Sequence, residues 1–97
     1  MTPFLHPAAE AEHLESLSFY DSRRQDLGGA YLADFVRTVE RIMEAPARHR
    51  IERQPNIRKL AFERFPYAII YRDAASGVQI LAVSHKRRRP AYWIGRL

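Results

Sequence analysis

The sequence predicts an α+β domain, a small antiparallel sheet packed against an N-terminal helical hairpin in the order β-α-α-β-β-β. Three observations carry this expectation. Apolar residues recur at helical spacing between Ala8 and Ala45, the period falls to two after Pro55-Asn56, and two β-branched runs are joined by Asp73-Ala74-Ala75-Ser76-Gly77. A chain of 97 residues holds one core, because at this size only roughly two-thirds of the unfolded surface is buried on folding, so residues 1–97 read as a single domain.

Thr2–Leu5 reads as a short edge strand closed by His6-Pro7, and Pro7 suits the first turn of a helix, where its missing N–H is not needed. From Ala8 to about Leu27, Ala11, Leu14, Leu17 and Tyr20 keep helical spacing, with Glu10, Glu12 and Glu15 favourably placed near the N-terminus. Leu27-Gly28-Gly29 reads as the turn that ends this helix. The second helix, about Ala30 to Ala45, carries the apolar stripe Leu32, Phe35, Val36, Val39, Ile42 and Met43 and is stopped by Pro46. So short a connection implies an antiparallel pair. Then Arg58–Arg64 alternates, Leu60 and Phe62 on one face and Lys59, Ala61 and Glu63 on the other. Phe65-Pro66 marks a bend, and Tyr67–Arg72 with Val78–Ser84 form a hairpin. Phe62, Phe65, Tyr67 and Tyr71 are expected in the core beneath the helices.

The chain has no cysteine, which excludes a disulfide framework and a thiolate metal site. It has no basic-then-apolar leader pattern and no apolar run of the roughly 20 residues that span a bilayer, so a soluble cytoplasmic protein without a membrane partner is expected. His6 and His13 have no third ligand nearby, and neither a metal nor a cofactor is expected. Charge is unevenly spread. Residues 1–47 hold four basic and eight acidic side chains, net −4, whereas residues 48–97 hold twelve and three, net +9. A basic half of this kind fits an anionic partner. Fourteen of the 16 cations are Arg; bidentate recognition accounts for that bias, and so does genome composition.

The densest chemistry is in Ser84-His85-Lys86-Arg87-Arg88-Arg89-Pro90-Ala91-Tyr92-Trp93. Four cations followed by two aromatics offer phosphate neutralisation beside stacking rings, and Arg58, Lys59 and Arg64 could converge on them from the neighbouring strand. The plainer alternative is a solvated basic tail with Trp93 tucked into the core. We expect Trp93 against the helix pair, with Arg87 and Arg88 facing a partner. His85 is the near-neutral titrating group of the cluster, either a base or a hydrogen-bonded strand-end histidine.

Several stretches together resemble the RelE/ParE superfamily of bacterial toxins, within it the ParE-like, plasmid-stabilisation branch. They are His6-Pro7-Ala8-Ala9, Leu27-Gly28 with Phe35, Ile57-Arg58, Arg64-Phe65-Pro66-Tyr67 with Ile70-Tyr71, and His85 through Arg89 followed by Pro90, Tyr92-Trp93 and Arg96. The resemblance implies the toxin of a type II toxin–antitoxin module, neutralised by a cognate antitoxin that wraps it. It also implies one of two modes of growth inhibition: poisoning of DNA gyrase, or cleavage of mRNA on the ribosome. Residues similar to the nuclease members are Lys59 and Arg87, with His85 as a possible base. The chain departs from them at Ala68, where an Arg is usual, and at Trp93, which lacks a hydroxyl. The expectation is a gyrase-directed toxin with target-binding residues Arg58, Lys59, Arg64, His85, Lys86, Arg87, Arg88, Arg89, Tyr92 and Trp93. The alternatives are a ribosome-dependent mRNA endonuclease using Lys59, His85 and Arg87, and a non-toxic nucleic-acid-binding module.

Overall fold

His6 ends the first strand and starts the first helix, because its Nδ1 accepts the Ala8 N–H at 3.0 Å and Pro7 occupies the first helical position. In the computed structural model, which describes residues 2–97, the elements are β1 (Phe4–Leu5), α1 (Pro7–Arg23), α2 (Gln25–Glu44), β2 (Ile51–Arg53), β3 (Ile57–Ala61), β4 (Tyr67–Ala74) and β5 (Gly77–His85). A 3-10 turn, Ile94–Arg96, closes the chain. The α+β architecture expected from the sequence is present, with two differences in the sheet.

The sheet has five strands in the order β1-β5-β4-β3-β2 and is mixed, not purely antiparallel. β1 lies parallel on the outer edge of β5, Phe4 opposite Gln79 and Leu5 opposite Ile80, and the His6 N–H continues the ladder to the Ile80 carbonyl at 2.8 Å. The chain leaves β1 through two helices, which lets it pair parallel with the last strand. β2 went unread in the sequence because Ile51 is a single β-branched residue among Arg48, His49, Arg50, Glu52 and Arg53.

The helices divide at Arg24, not at Gly28-Gly29. Arg24 is extended (φ −155°, ψ 140°) and its N–H caps α1 on the Tyr20 carbonyl. Gly28 lies inside α2 where the helices approach closely: a Cβ there would stand 2.5 Å from Asp21 Oδ1 and 2.9 Å from Asp21 Cβ. Glycine is needed at this position for proximity and not for a turn.

Two hydrophobic layers flank the sheet, one on each face. On the helix side, Tyr31 and Ile42 pack with Phe62, Phe65, Ile69, Tyr71, Ile80 and Val83. His13 is part of this layer, stacked 3.9 Å from the Phe35 ring centroid, and burial holds its pKa below the ordinary value. On the opposite side, Ile57, Ile70, Leu81 and Ala82 are covered by Trp93, which is only 3% exposed. The expectation that Trp93 packs against the helix pair is therefore corrected: the indole is buried, on the other face. A β-bulge makes room for it. Pairing steps from Ile70 opposite Ala82 to Tyr71 opposite Ile80, so Leu81 is an extra residue that turns to the Trp93 side beside Ala82.

Candidate target-binding cleft

The site begins with a buried carboxylate. Asp34 on α2 is fully buried, and its two oxygens accept the consecutive backbone N–H groups of Glu63 (3.3 Å), Arg64 (2.9 Å) and Phe65 (2.8 Å), with Arg37 donating to Oδ1 at 3.3 Å. Three donors turned toward one carboxylate cannot also serve a sheet ladder. This is why β3 stops at Ala61 and not at Arg64, as its alternation predicted. The arch continues into Pro66, whose carbonyl accepts the Lys86 N–H at 3.0 Å, so it fixes the start of the basic run.

Where β3 ends, β4 begins and β5 runs into the tail, a cleft of ≈ 380 Å³ opens. Ala61, Ala68 and Ser84 line it with small side chains, and Lys59, on the Ile70 side of the sheet, enters it from β3. His85, Lys86, Arg88 and Arg89 line its end, and Pro90 to Trp93 form a wall. Ala91 takes a positive φ of 58°, the left-handed conformation that turns the tail back over the sheet at some cost in strain.

That wall is clamped by Glu12 of α1. Its carboxylate accepts both arms of the Arg96 guanidinium (2.8 and 2.9 Å), the Tyr92 hydroxyl (2.7 Å) and the Val83 backbone N–H (3.0 Å). Arg96 also donates to the Leu81 carbonyl at 2.9 Å. β1 pairs with β5 only at Gln79 and Ile80, so these side chains take over the ladder groups of β5 beyond it. Burial raises the Glu12 pKa, but the hydrogen bonds from Arg96, Tyr92 and Val83 outweigh it and hold the carboxyl below its ordinary value. Tyr92 is pushed up to about 12, by burial first and then by its bond to Glu12. Its ring has the Arg88 guanidinium at 4.0 Å and that of Arg96 at 5.1 Å.

Of the residues expected to contact a target, Lys59, His85, Lys86, Arg88, Arg89, Tyr92 and Trp93 line this cleft, whereas Arg58, Arg64 and Arg87 do not. Arg58 is a strut on the helix side of the sheet, donating to the His49 carbonyl at 2.7 Å and lying 3.8 Å from Asp73. Arg64 lies over the Phe65 ring, 5.4 Å from its centroid. The Arg87 N–H donates to His85 Nδ1 at 3.1 Å, which places the imidazole proton on Nε2. Burial, then the charges of Arg87 and Lys86, hold the His85 pKa below its ordinary value.

Sequence reasoning missed Asp34, Glu12 and Arg96 as members of the site. Asp34 had a signal: it falls in the Tyr31-Asp34-Thr38-Ile42 spacing, which is the stripe α2 actually buries. Glu12 had none, looking like any acid in a first helical turn.

Residues 4–90 match the family described as ParE toxin of type II toxin-antitoxin system, parDE. The chain belongs to the ParE toxin family. Among solved structures it is similar to a chain of the chromosomal ParDE toxin–antitoxin system from P. aeruginosa, with a TM-score of 0.74 at 19% identity, over 88% of this chain and 95% of that one. No curated protein matches the sequence. The ParE match runs from β1 to Pro90, so it takes in the Asp34 arch and the basic run, while Tyr92, Trp93 and Arg96 lie beyond it. Among the described residues no cluster of three or more metal-ligating side chains occurs, and no helix is long and apolar enough to cross a membrane.

Proposed function

We propose that this ParE-family chain is the toxin of a type II toxin–antitoxin module, that it inhibits growth by acting on DNA gyrase, and that a cognate antitoxin neutralises it. The commitment of the C-terminal aromatics favours gyrase over RNA cleavage. Cleavage by 2′-OH attack needs groups that exchange protons, yet the Tyr92 hydroxyl is held by Glu12 and Trp93 is buried without a hydroxyl to offer. Lys59 and His85 line the cleft, whereas Arg87 is not among its lining residues, which lends the nuclease reading less support. What the cleft offers is a fixed set of cations suited to docking.

The antitoxin has a different surface to cover. Leu14 and Phe19 on α1 and Leu32 and Val36 on α2 are large apolar side chains between 40% and 54% exposed. An amphipathic segment fits such helices through its apolar face, and its acidic part fits residues 48–97, whose net charge is +9, and not the helices, which lie in the half of net charge −4. Co-expression with the adjacent reading frame is expected to give a salt-resistant complex of raised thermal midpoint, and separate elution at micromolar concentration would remove the antitoxin reading.

The target is tested with purified protein. Loss of gyrase supercoiling together with accumulated cleaved DNA, and total RNA without new primer-extension stops after induction, are the expected results. Discrete in-frame mRNA cleavage with unimpaired gyrase would overturn the assignment in favour of the ribosome and mRNA as targets.

A further inference from the structure

The cleft concentrates positive charge that the fold does not neutralise. Lys59, Lys86, Arg88 and Arg89 line one space of ≈ 380 Å³, and among the described residues none of them has a carboxylate within ion-pairing distance. The only acid on the lining, Glu52, is already taken by Arg50 at 3.4 Å. Other cations of this chain do find partners: Arg96 pairs with Glu12, Arg37 with Asp34 and Arg41 with Glu63. Four uncompensated cations around one concavity repel each other and are relieved by an anion. His85 adds a donor at the same end of the cleft, since its Nδ1 accepts the Arg87 N–H at 3.1 Å and leaves Nε2–H for the ligand.

The remainder of the lining says what kind of anion. Ala61, Ala68, Pro90 and Trp93 give the cleft an apolar part that a bare phosphate would leave empty, and its volume lies in the range of about 300–1,000 Å³ typical of organic ligands. The walls are set before any ligand arrives. The Asp34 arch fixes the Pro66 side and the Glu12 clamp fixes the Tyr92 side, so little ordering has to accompany binding. Trp93 and Tyr92 are not free stacking platforms, since one is buried and the other lies against two guanidinium groups. Recognition therefore rests on the phosphate and on apolar contact.

We propose that this cleft binds a phosphate ester of nucleotide size through Lys59, Lys86, Arg88 and Arg89, with the organic group over Ala61, Ala68 and Pro90. The ligand is a free nucleotide or a single nucleotide unit of a strand, the phosphate chemistry being the same. This does not depend on gyrase as the target, and the supercoiling assay and the binding assay fail independently.

Trp93 is the only tryptophan in the chain and lines the cleft, so its indole N–H resonance is a local reporter. Titration of the purified protein with AMP should move that resonance saturably in the millimolar range or tighter, inorganic phosphate should do so more weakly, and adenosine should leave it in place. An oligothymidylate should also move it, with a log–log salt slope that falls by roughly 0.7 when one contacting cation is removed. Lys59→Gln and Arg89→Gln should each weaken binding about tenfold, as loss of one charge-assisted contact implies. Arg48→Gln, an exposed cation outside the cleft, should not. Arg89 is exposed, so its variant tests the site even if Lys59→Gln disturbs the fold. A shift with AMP assigns the site to free nucleotides, and a Lys59-dependent shift with the oligonucleotide alone assigns it to a strand. No saturable shift with either ligand, or equal weakening by Arg48→Gln, overturns the proposal.

Discussion

Glu12→Ala removes one side chain and leaves three donors without their acceptor: the Arg96 guanidinium, the Tyr92 hydroxyl and the Val83 N–H. The Glu12 and Arg96 side chains are 13% and 16% exposed, so water can repair only part of the loss. Breaking a buried ion pair costs about 3–5 kcal/mol, and the residual exposure places this one near the lower bound, about 3 kcal/mol. For a domain of this size that corresponds to a fall in Tm of roughly 12–24 °C, at about 4–8 °C per kcal/mol. Against a total stability of about 5–15 kcal/mol the variant should still fold.

The assay is urea denaturation followed by Trp93 fluorescence, because the indole lies beneath the tail that Glu12 clamps. A double-mutant cycle with Arg96→Gln should show coupling of about 1–3 kcal/mol. The pH dependence follows from the direction of the shift. The folded carboxyl titrates below its ordinary 4.5, so its contribution is complete above that pH and is lost as the pH falls through the folded value. Glu12→Ala should flatten the stability profile in that acid window and leave its shape at neutral pH unchanged. A cost under about 0.5 kcal/mol, or additive effects of the two substitutions, would refute the clamp as the element that holds the tail.

Asp34→Ala should cost about 2–4 kcal/mol in chemical denaturation, since three backbone N–H groups lose their acceptor, and amide exchange should rise first at Glu63, Arg64 and Phe65. Gly28→Ala should destabilise by about 1–3 kcal/mol through its clash with Asp21, whereas Gly29→Ala, with open space around it, should stabilise by roughly 0.5–1 kcal/mol; thermal melts of the pair separate the two roles. Ala91→Gly should relieve the left-handed strain and raise stability by about 1 kcal/mol, read in the same melts. Truncation after Pro90 should lower stability and toxicity together, while Arg89→Ala, at an exposed cation of the cleft, should lower toxicity with an unchanged melt. In NMR titration His85 should titrate below 6.5 and move up toward that value in Lys86→Ala.

The fold was legible where a pattern is local. Helical spacing, the switch to period two after Pro55-Asn56 and the Asp73–Gly77 turn all act within a few residues, and each located an element of the right kind. Failures came where a distant partner overrides the local signal. Gly28-Gly29 looks like a turn until Asp21 is seen beside it, and Glu63-Arg64 looks like strand until Asp34 draws its amides away. β1 is a two-residue element whose parallel pairing depends on a strand more than 70 positions away. No window of sequence can report that pairing.

The cleft was legible in composition and not in arrangement. The cationic run and Lys59 marked the region because charge density is a sequence property. Which cations are free is decided by three dimensions: Arg58 spends its guanidinium on the His49 carbonyl, and Arg96 spends its own on Glu12, 84 positions apart in sequence. The same geometry divides roles in the C-terminal segment. Tyr92, Trp93 and Arg96 fasten the tail to the sheet and so cannot also reach outward, which leaves Lys59, Lys86, Arg88 and Arg89 to meet a ligand. His85 holds both parts together. Its Nδ1 orders the turn into the basic run and its ring packs edge-on at 5.1 Å from Tyr67, so only Nε2 is left to face the cleft. A residue so placed is a donor to a docked anion. For it to act as a base, Nε2 would have to give up its proton while Nδ1 gave up the Arg87 N–H, which opens the turn that builds the site.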